Sequence, residues 1–279
     1  MSAIRRRSDL CPGALRPWLA EDGLLVRLRL IGGQVSAASL LALVEAAERY
    51  GDGRVHLTSR ANLQVRAFPG DDGALTPEAL AALEATGLLP TRTHELVRNV
   101  LVSPQTGLSE GRADLGPVAA ELDAAVCEDP TLADLSGRFL FVLDDGRGDL
   151  VGRSCDLGLV VLDDTTAQLR VGEAWGPVLP LDEAAVGLAW LAREFAVRRG
   201  SGPEAPWHVV ELAEPLTSPD APDPRLPAPL APLPYGEVAG GEHVAAEVLD
   251  RAAVEALAAR SDHLIVTPWH GVLVPQETR

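Results

Sequence analysis

The chain has 279 residues and a net charge of −16, from 40 Asp and Glu against 24 cations, all of them Arg. That length allows one large or two ordinary domains with a substantial core. The charge opposes non-specific binding to nucleic acid or to an anionic membrane, both of which need a basic face. No apolar run approaches the roughly 20 residues of a membrane span. MSAIRRRSDL has a positive start but no apolar core after it, so no secretory leader is read and the expected location is cytoplasmic. Cys11, Cys127 and Cys155 are odd in number and far apart, with no Cys-x-x-Cys spacing, and the six His form no HExxH-type pair. Neither a disulfide framework nor a self-contained metal site is expected.

In chain order, residues 22 to 68 read β-α-β-β. LLVRLRL alternates as a half-buried strand and Gly-Gly breaks it. SAASLLALVEAAERYGDG is helical: Ser36 or Ser39 caps it, Leu40, Leu41, Val44 and Ala47 share a face, and Gly51 and Gly53 end it. VHLTSRANLQVRAF then reads strand, turn, strand, with Arg60, Asn62, Gln64 and Arg66 in or beside the turn. TPEALAALEATG is a helix capped by Thr76 and stopped by Gly87. VRNVLVSPQTGL is a short strand into a loop, and GPVAAELDAAVCEDPTLADL is helical with Cys127 beside its apolar stripe. GRFLFVLDDGRGDL is a strand with a Gly-rich turn. Asp144, Asp145 and Asp149 in it lack the EF-hand spacing with its Glu at position 12, and DDGRGD is read as a hairpin. DLGLVVLDDTTAQLRVGEAWG holds two or three strands, and Asp182 to Arg199 is a helix. Residues 201 to 232 carry most of the prolines and read as an extended connector.

The last 47 residues return to the first pattern: strand, Gly-Gly, helix, then LIVTPWHGVLVP. Laying Val55 on Leu264 brings Thr58 onto Thr267, Leu63 onto Val272 and Val65 onto Val274. This is a weak β-α-β-β repeat at a separation of about 200 residues. Two such half units are expected to pair edge to edge into one sheet, since each alone leaves an open edge. His270 beside Trp269 reads as a turn residue or a ligand contact. The layout is α+β, without the strict βαβ rhythm of a doubly wound sheet.

Arginines recur at strand ends in TSRANLQVR, ELVRNVL and SGRFLF. Strand-end loops converge at sheet edges, so these cations are candidates for one polyanion site, through charge-assisted and often bidentate bonds. The competing reading pairs each Arg with one of the many surface carboxylates.

The order TSRANLQVR, VRNVLVSP, GRFLFVLDDGRGD, followed by a second β-α-β-β unit, resembles the sirohaem-containing nitrite and sulfite reductase superfamily. Within it, CPGALRPWLAEDGLLVRLRLIGG and TPWHGVLVP look most like the precorrin-3B synthase family of cobalamin biosynthesis. The resemblance implies two ferredoxin-like β-α-β-β half units, at 21–70 and 233–279. They flank a nitrite/sulfite-reductase-type α/β domain at 75–200, with an N-terminal segment at 1–20 and the connector at 201–232. It implies an oxidoreductase acting on a tetrapyrrole or another anionic small molecule, with sirohaem and a [4Fe–4S] cluster as cofactors. By motif match, Arg60 and Arg98 approach the cofactor face and the bound anion. Asn62, Gln64, Arg66 and Asn99 line the same edge. The family's basic pair falls on Arg138 and Leu140, so one cation is missing, which argues against inorganic-anion reduction and suits a large macrocycle with acidic arms. Family members carry close-set Cys ligands for the cluster beyond the second half unit. TPWHGVLVPQETR stands where that domain would begin, so the cluster is expected from another part, or from a cluster-bearing partner chain. The alternative is a non-catalytic tetrapyrrole-binding protein or a truncated paralogue without redox activity.

Overall fold

The computed structural model describes residues 9–202 and 204–276. Its elements run β1 (Trp18–Ala20), β2 (Gly23–Leu28), β3 (Gln34–Ser36), α1 (Ala37–Tyr50), β4 (Val55–Leu57), β5 (Leu63–Phe68), β6 (Gly70–Asp71), β7 (Ala74–Leu75), α2 (Pro77–Ala85), β8 (Val100–Val102) and α3 (Gly116–Glu128). They continue through β9 (Phe141–Asp144), β10 (Leu157–Val161), β11 (Thr166–Val171), β12 (Ala174–Pro180), α4 (Ala184–Arg199), β13 (Gly236–Val238), β14 (Gly241–Ala245), β15 (Val248–Leu249), α5 (Arg251–Ala258), β16 (His263–Thr267) and β17 (Gly271–Pro275). The chain divides into two units. A split unit takes Cys11–Glu95 and the residues from Leu233 onward, and a central unit takes Leu96–Pro232 with Asp9 and Leu10.

In the split unit the two halves do not merge into one sheet, as edge-to-edge pairing would require. They form two five-stranded sheets, ordered β1-β2-β5-β4-β15 and β13-β14-β17-β16-β3. Each half lends its short strand to the other: β15 pairs with β4 through Val248↔His56, and β3 pairs with β16 through Leu264↔Val35. The exchange covers one edge of each sheet, which removes a row of unpaired backbone groups. It depends on a close approach at Gly33, whose carbonyl accepts from the Val266 N–H at 2.8 Å. A Cβ there would lie 2.0 Å from the Val266 carbonyl oxygen, and φ is +75°. The mirror contact is the Leu57 N–H donating to Glu247 at 2.9 Å.

The repeat extends to detail. Ser36 and Asp250 cap α1 and α5 by accepting from the N–H three residues on, at 2.9 Å in both cases. Ala61 and His270, equivalent in the two hairpins, both adopt left-handed backbone, with φ 54° and 56°. Of the two caps open in the sequence, Ser36 is used. The buried face of α1 is Ala37, Leu40, Leu43, Val44, Ala46 and Ala47, and Leu41 is half-buried at its margin. Helix α2, capped by Thr76, packs on α1 and lies in this unit rather than at the start of the central one.

The central sheet is ordered β12-β11-β10-β9-β8, with β8, β9 and β10 parallel and β11 and β12 antiparallel. Strands β9 and β10 are buried at every position, as expected of parallel strands covered on both faces. Helices α3 and α4 pack together, and Phe139 holds Phe141 and Phe195 at ring-centroid distances of 5.3 and 5.2 Å. DDGRGD is not a hairpin, because β9 and β10 run parallel and need a longer return. The Asp144 carboxylate gathers the N–H groups of Gly146, Gly148 and Leu150 at 2.8–3.0 Å and curls the chain away from the strand. The Pro-rich stretch is strapped down rather than extended. Gln168 donates to the Ala221 carbonyl and accepts from the Asp223 N–H, Arg112 donates to the Arg225 carbonyl, and Leu230 N–H donates to Gly148. Among the described residues no helix is long and apolar enough to cross a membrane.

Candidate functional site

The split unit presents a cationic end on its first sheet. Strand β2 buries Leu24, Val26 and Leu28, so Arg27 and Arg29 alternate onto the other face. Arg27 lies opposite Gln64 and donates to its Oε1 at 3.1 Å. Arg29 is buried and donates to the carbonyls of Pro12 and Glu95 at 3.2 and 3.3 Å. Its pKa falls to about 10, chiefly through burial, with Arg27 and Arg60 as nearby like charges and Cys11 and Glu95 opposing. Arg60 sits half-buried at the tip of the β4–β5 hairpin. That tip is set by Thr58 N–H to Asn62 at 3.0 Å and Ala61 N–H to Thr58 at 3.0 Å. Asn62 is buried and structural, since its Oδ1 accepts from Leu30 N–H at 2.9 Å and locks β2 to the hairpin. Arg66 forms a two-pronged, partly exposed pair with Asp22 at 3.0 and 3.2 Å. The cations that gather here are therefore Arg27, Arg29 and Arg60. The first two were visible in LLVRLRL only as polar alternation, because cross-strand register decides that they share an end with Arg60.

The central unit has a second polar end, where the three parallel strands begin. Arg98 and Asn99 precede β8, Arg138 and Leu140 precede β9, and Asp156 precedes β10. Arg98 is only 8% exposed, and its Nε and Nη2 donate to the two Asp123 oxygens, each at 2.7 Å. Burial works to lower its pKa, but the Asp123 pair more than offsets this and the net shift is upward. Its charge is thus matched by a carboxylate on α3, as the competing surface-pair reading anticipated, though in a buried setting. Asn99 is buried and donates to the carbonyls of Leu96 and Gly137 at 3.1 and 3.0 Å, which fixes the turn carrying Arg138. Arg138 is exposed and lies over the Trp207 ring at 5.3 Å, with Asp9 at 3.9 Å. Leu140 is buried, so the position that breaks the basic pair faces the core.

Three further residues complete this end and were not singled out in the sequence. Asp156 is buried and accepts from Leu140 N–H at 2.9 Å, Val209 N–H at 3.0 Å and His208 Nδ1 at 3.2 Å. His208 and Trp207 lie in the proline-rich stretch that reads as a connector, and only folding brings them to the sheet. An open apolar cavity of about 350 Å³ adjoins the same turn, lined by Val209, Leu212 and Leu216 among others, and contains none of the predicted site residues.

The thiols do not make a cluster site. Cys11 is buried in the split unit, and Cys127 and Cys155 belong to the central one. Burial, with Asp123 beside it, raises the Cys127 pKa, and burial pushes Cys155 up to about 11, so neither is poised as a thiolate. At the opposite end of the central sheet, Asp144, Asp145 and Asp149 cluster. Arg147 makes a pair with Asp145 at 2.8 Å, and Ser103 donates to Asp149 at 2.6 Å. Burial, then the Asp144 charge, raises Asp149 to about 7.

Residues 19–85 match the family model for the nitrite/sulfite reductase ferredoxin-like half domain. The fold agrees: the NirA protein of Mycobacterium tuberculosis superposes with a TM-score of 0.67 at 20% identity, over 91% of this chain and 54% of that one. The family match is confined to that first half unit, and the likeness to NirA is one of fold. Among curated proteins it is similar to a precorrin-3B synthase of a Sinorhizobium species, 32% identical over 161 residues, covering 56% of this chain and 32% of that protein. It is also similar to a ferredoxin–nitrite reductase of Leptolyngbya laminosa, 30% identical over 92 residues, covering 32% of this chain and 18% of that protein. The chain thus matches a third or less of the length of these curated relatives.

Proposed function

We propose that this chain is the tetrapyrrole-binding portion of a precorrin-3B synthase-like oxidoreductase of cobalamin biosynthesis. The observation that carries the reading is the 161-residue similarity to precorrin-3B synthase. The buried Leu140 supports a macrocycle over nitrite or sulfite, because stabilising charge on a small anion calls for several convergent cations and this position supplies none. Carboxylate arms such as those of a sirohaem or precorrin suit Arg60 with Arg27 and Arg29 near it in the split unit, and Arg138 offers the same chemistry in the central unit. Arg98 is assigned a weaker orienting role, since Asp123 already holds it. Sirohaem, when bound, supplies the redox chemistry at its iron. The three cysteines do not fit a [4Fe–4S] cluster, so that group belongs to a partner chain or to polypeptide outside this sequence, and no step is routed through it. The dispersed thiols, with the Cys127 and Cys155 pKa values raised, equally favour a second reading, a non-catalytic tetrapyrrole carrier.

The test is a UV–visible spectrum with iron analysis on the purified chain, with and without added sirohaem. A stoichiometric porphyrin-type band that Arg60→Ala abolishes supports the pocket. A flat spectrum in the wild type removes both readings. Binding that gives no oxidation when a cluster-bearing partner is supplied leaves the carrier.

A further inference from the structure

The polar end of the central sheet contains a histidine that the family reading does not use. His208 projects from a short turn whose conformation is fixed twice. Glu211 accepts from the Trp207 and His208 N–H groups at 2.7 and 3.3 Å, and Asp156 accepts from Val209 N–H on the other side. Asp156 is already committed to two backbone donors, so it serves as a fixed carboxylate acceptor for the imidazole. This assigns the proton to Nδ1 and turns Nε2 outward. The side chain is about one-third exposed, and Nε2 has no hydrogen-bond partner among the described residues. Beside it, the Arg138 guanidinium lies over the Trp207 ring. The same Asp156 accepts from Leu140 N–H, two residues after Arg138, so one buried carboxylate positions both turns. A flat aromatic, a guanidinium and an imidazole held by one scaffold are the chemistry of a carboxylate on a planar ring system.

We propose that His208 and Arg138 together hold one carboxylate arm of the macrocycle, with Asp156 as the positioning residue and Trp207 as the apolar floor. The inference rests on the tetrapyrrole reading above and assigns an arm-binding point that lies wholly within the central unit. The imidazole donates from Nε2 when protonated. Asp156, from the loop before β10, faces the ring; Glu211 binds the backbone of the same turn, and Arg138, from the loop before β9, reaches the neighbouring Trp207 ring.

The experiment is a fluorescence titration of the full chain with uroporphyrin, a porphyrin octacarboxylate. It compares wild type, Arg60→Ala, His208→Gln, Arg138→Gln and the His208→Gln/Arg138→Gln double variant. His208→Gln and Arg138→Gln should each weaken binding by roughly tenfold, as for one charged hydrogen bond. The double variant should lose clearly less than the product of the two, because both grip the same group. His208→Gln binding like wild type while Arg60→Ala binds more weakly would overturn this inference and leave the function reading standing. Wild type failing to bind uroporphyrin would overturn both. Two single losses that multiply in the double variant, with lowered melting temperatures, would assign His208 a structural role and reject the shared carboxylate.

Discussion

Gly33 is the most exacting position in the split unit, and Gly33→Ala tests the strand exchange directly. Two costs add. The first is conformational: at φ +75° an L side chain pays about 1–2 kcal/mol. The second is steric: the new Cβ would sit 2.0 Å from the Val266 carbonyl oxygen, which belongs to backbone and cannot swing aside. Relief requires β16 to withdraw, which strains packing by about 1–3 kcal/mol and loosens the 2.8 Å Val266–Gly33 hydrogen bond, worth about 1 kcal/mol. The total is about 3–6 kcal/mol. Gly53→Ala is the matched control, because Gly53 has the same φ of +75° but its Cβ would find nothing closer than 3.7 Å. It should cost about 1–2 kcal/mol from backbone conformation alone. Urea unfolding followed by circular dichroism reads both variants. Equal losses would refute the reasoning, since they would mean that the close approach of β16 contributes nothing beyond the turn.

Arg98→Ala should destabilise the central unit by about 3 kcal/mol by leaving Asp123 unpaired, and Arg98→Ala/Asp123→Ala should cost less than the sum of the single changes, read by thermal melting. Any loss of ligand binding in Arg98→Ala therefore counts as functional only if measured below its own unfolding transition. Asp149 has its pKa raised to about 7 in the fold against 3.8 as the ordinary value, so the folded state binds more protons between those limits. Its contribution is present at low pH and is lost as pH rises through about 7. Asp149→Asn should accordingly gain on wild type by about 2–4 kcal/mol between pH 4 and 7.5, and parallel stability–pH curves would reject the assignment. Arg66→Ala should change stability by no more than about 1 kcal/mol, because its pair with Asp22 is partly exposed, and a larger loss in urea unfolding would contradict that account.

Local chemistry was written in the sequence. The caps at Ser36, Thr76 and Asp250, the alternation of LLVRLRL and the apolar stripe of the first helix each depend on neighbours within a few residues. The repeat of β-α-β-β halves was legible for the same reason, and it carried the superfamily resemblance. Tertiary structure decided everything that depends on which strand lies beside which. It made β3 and β15 cross to the opposite sheets, because a partner about 200 residues away in sequence covers an edge that no neighbouring segment reaches. It made β9 and β10 parallel, and the chain leaving β9 curls around the Asp144 carboxylate, which accepts three N–H groups in a way that no hairpin pattern announces. It paired Arg98 with Asp123 across 25 residues and gathered Arg27, Arg29 and Arg60 through cross-strand register. It also brought His208 to Asp156 across 52 residues, out of a proline-rich stretch that by composition reads as a spacer. Composition reports whether a segment forms regular structure, whereas what it touches is set by the surface on which it is laid.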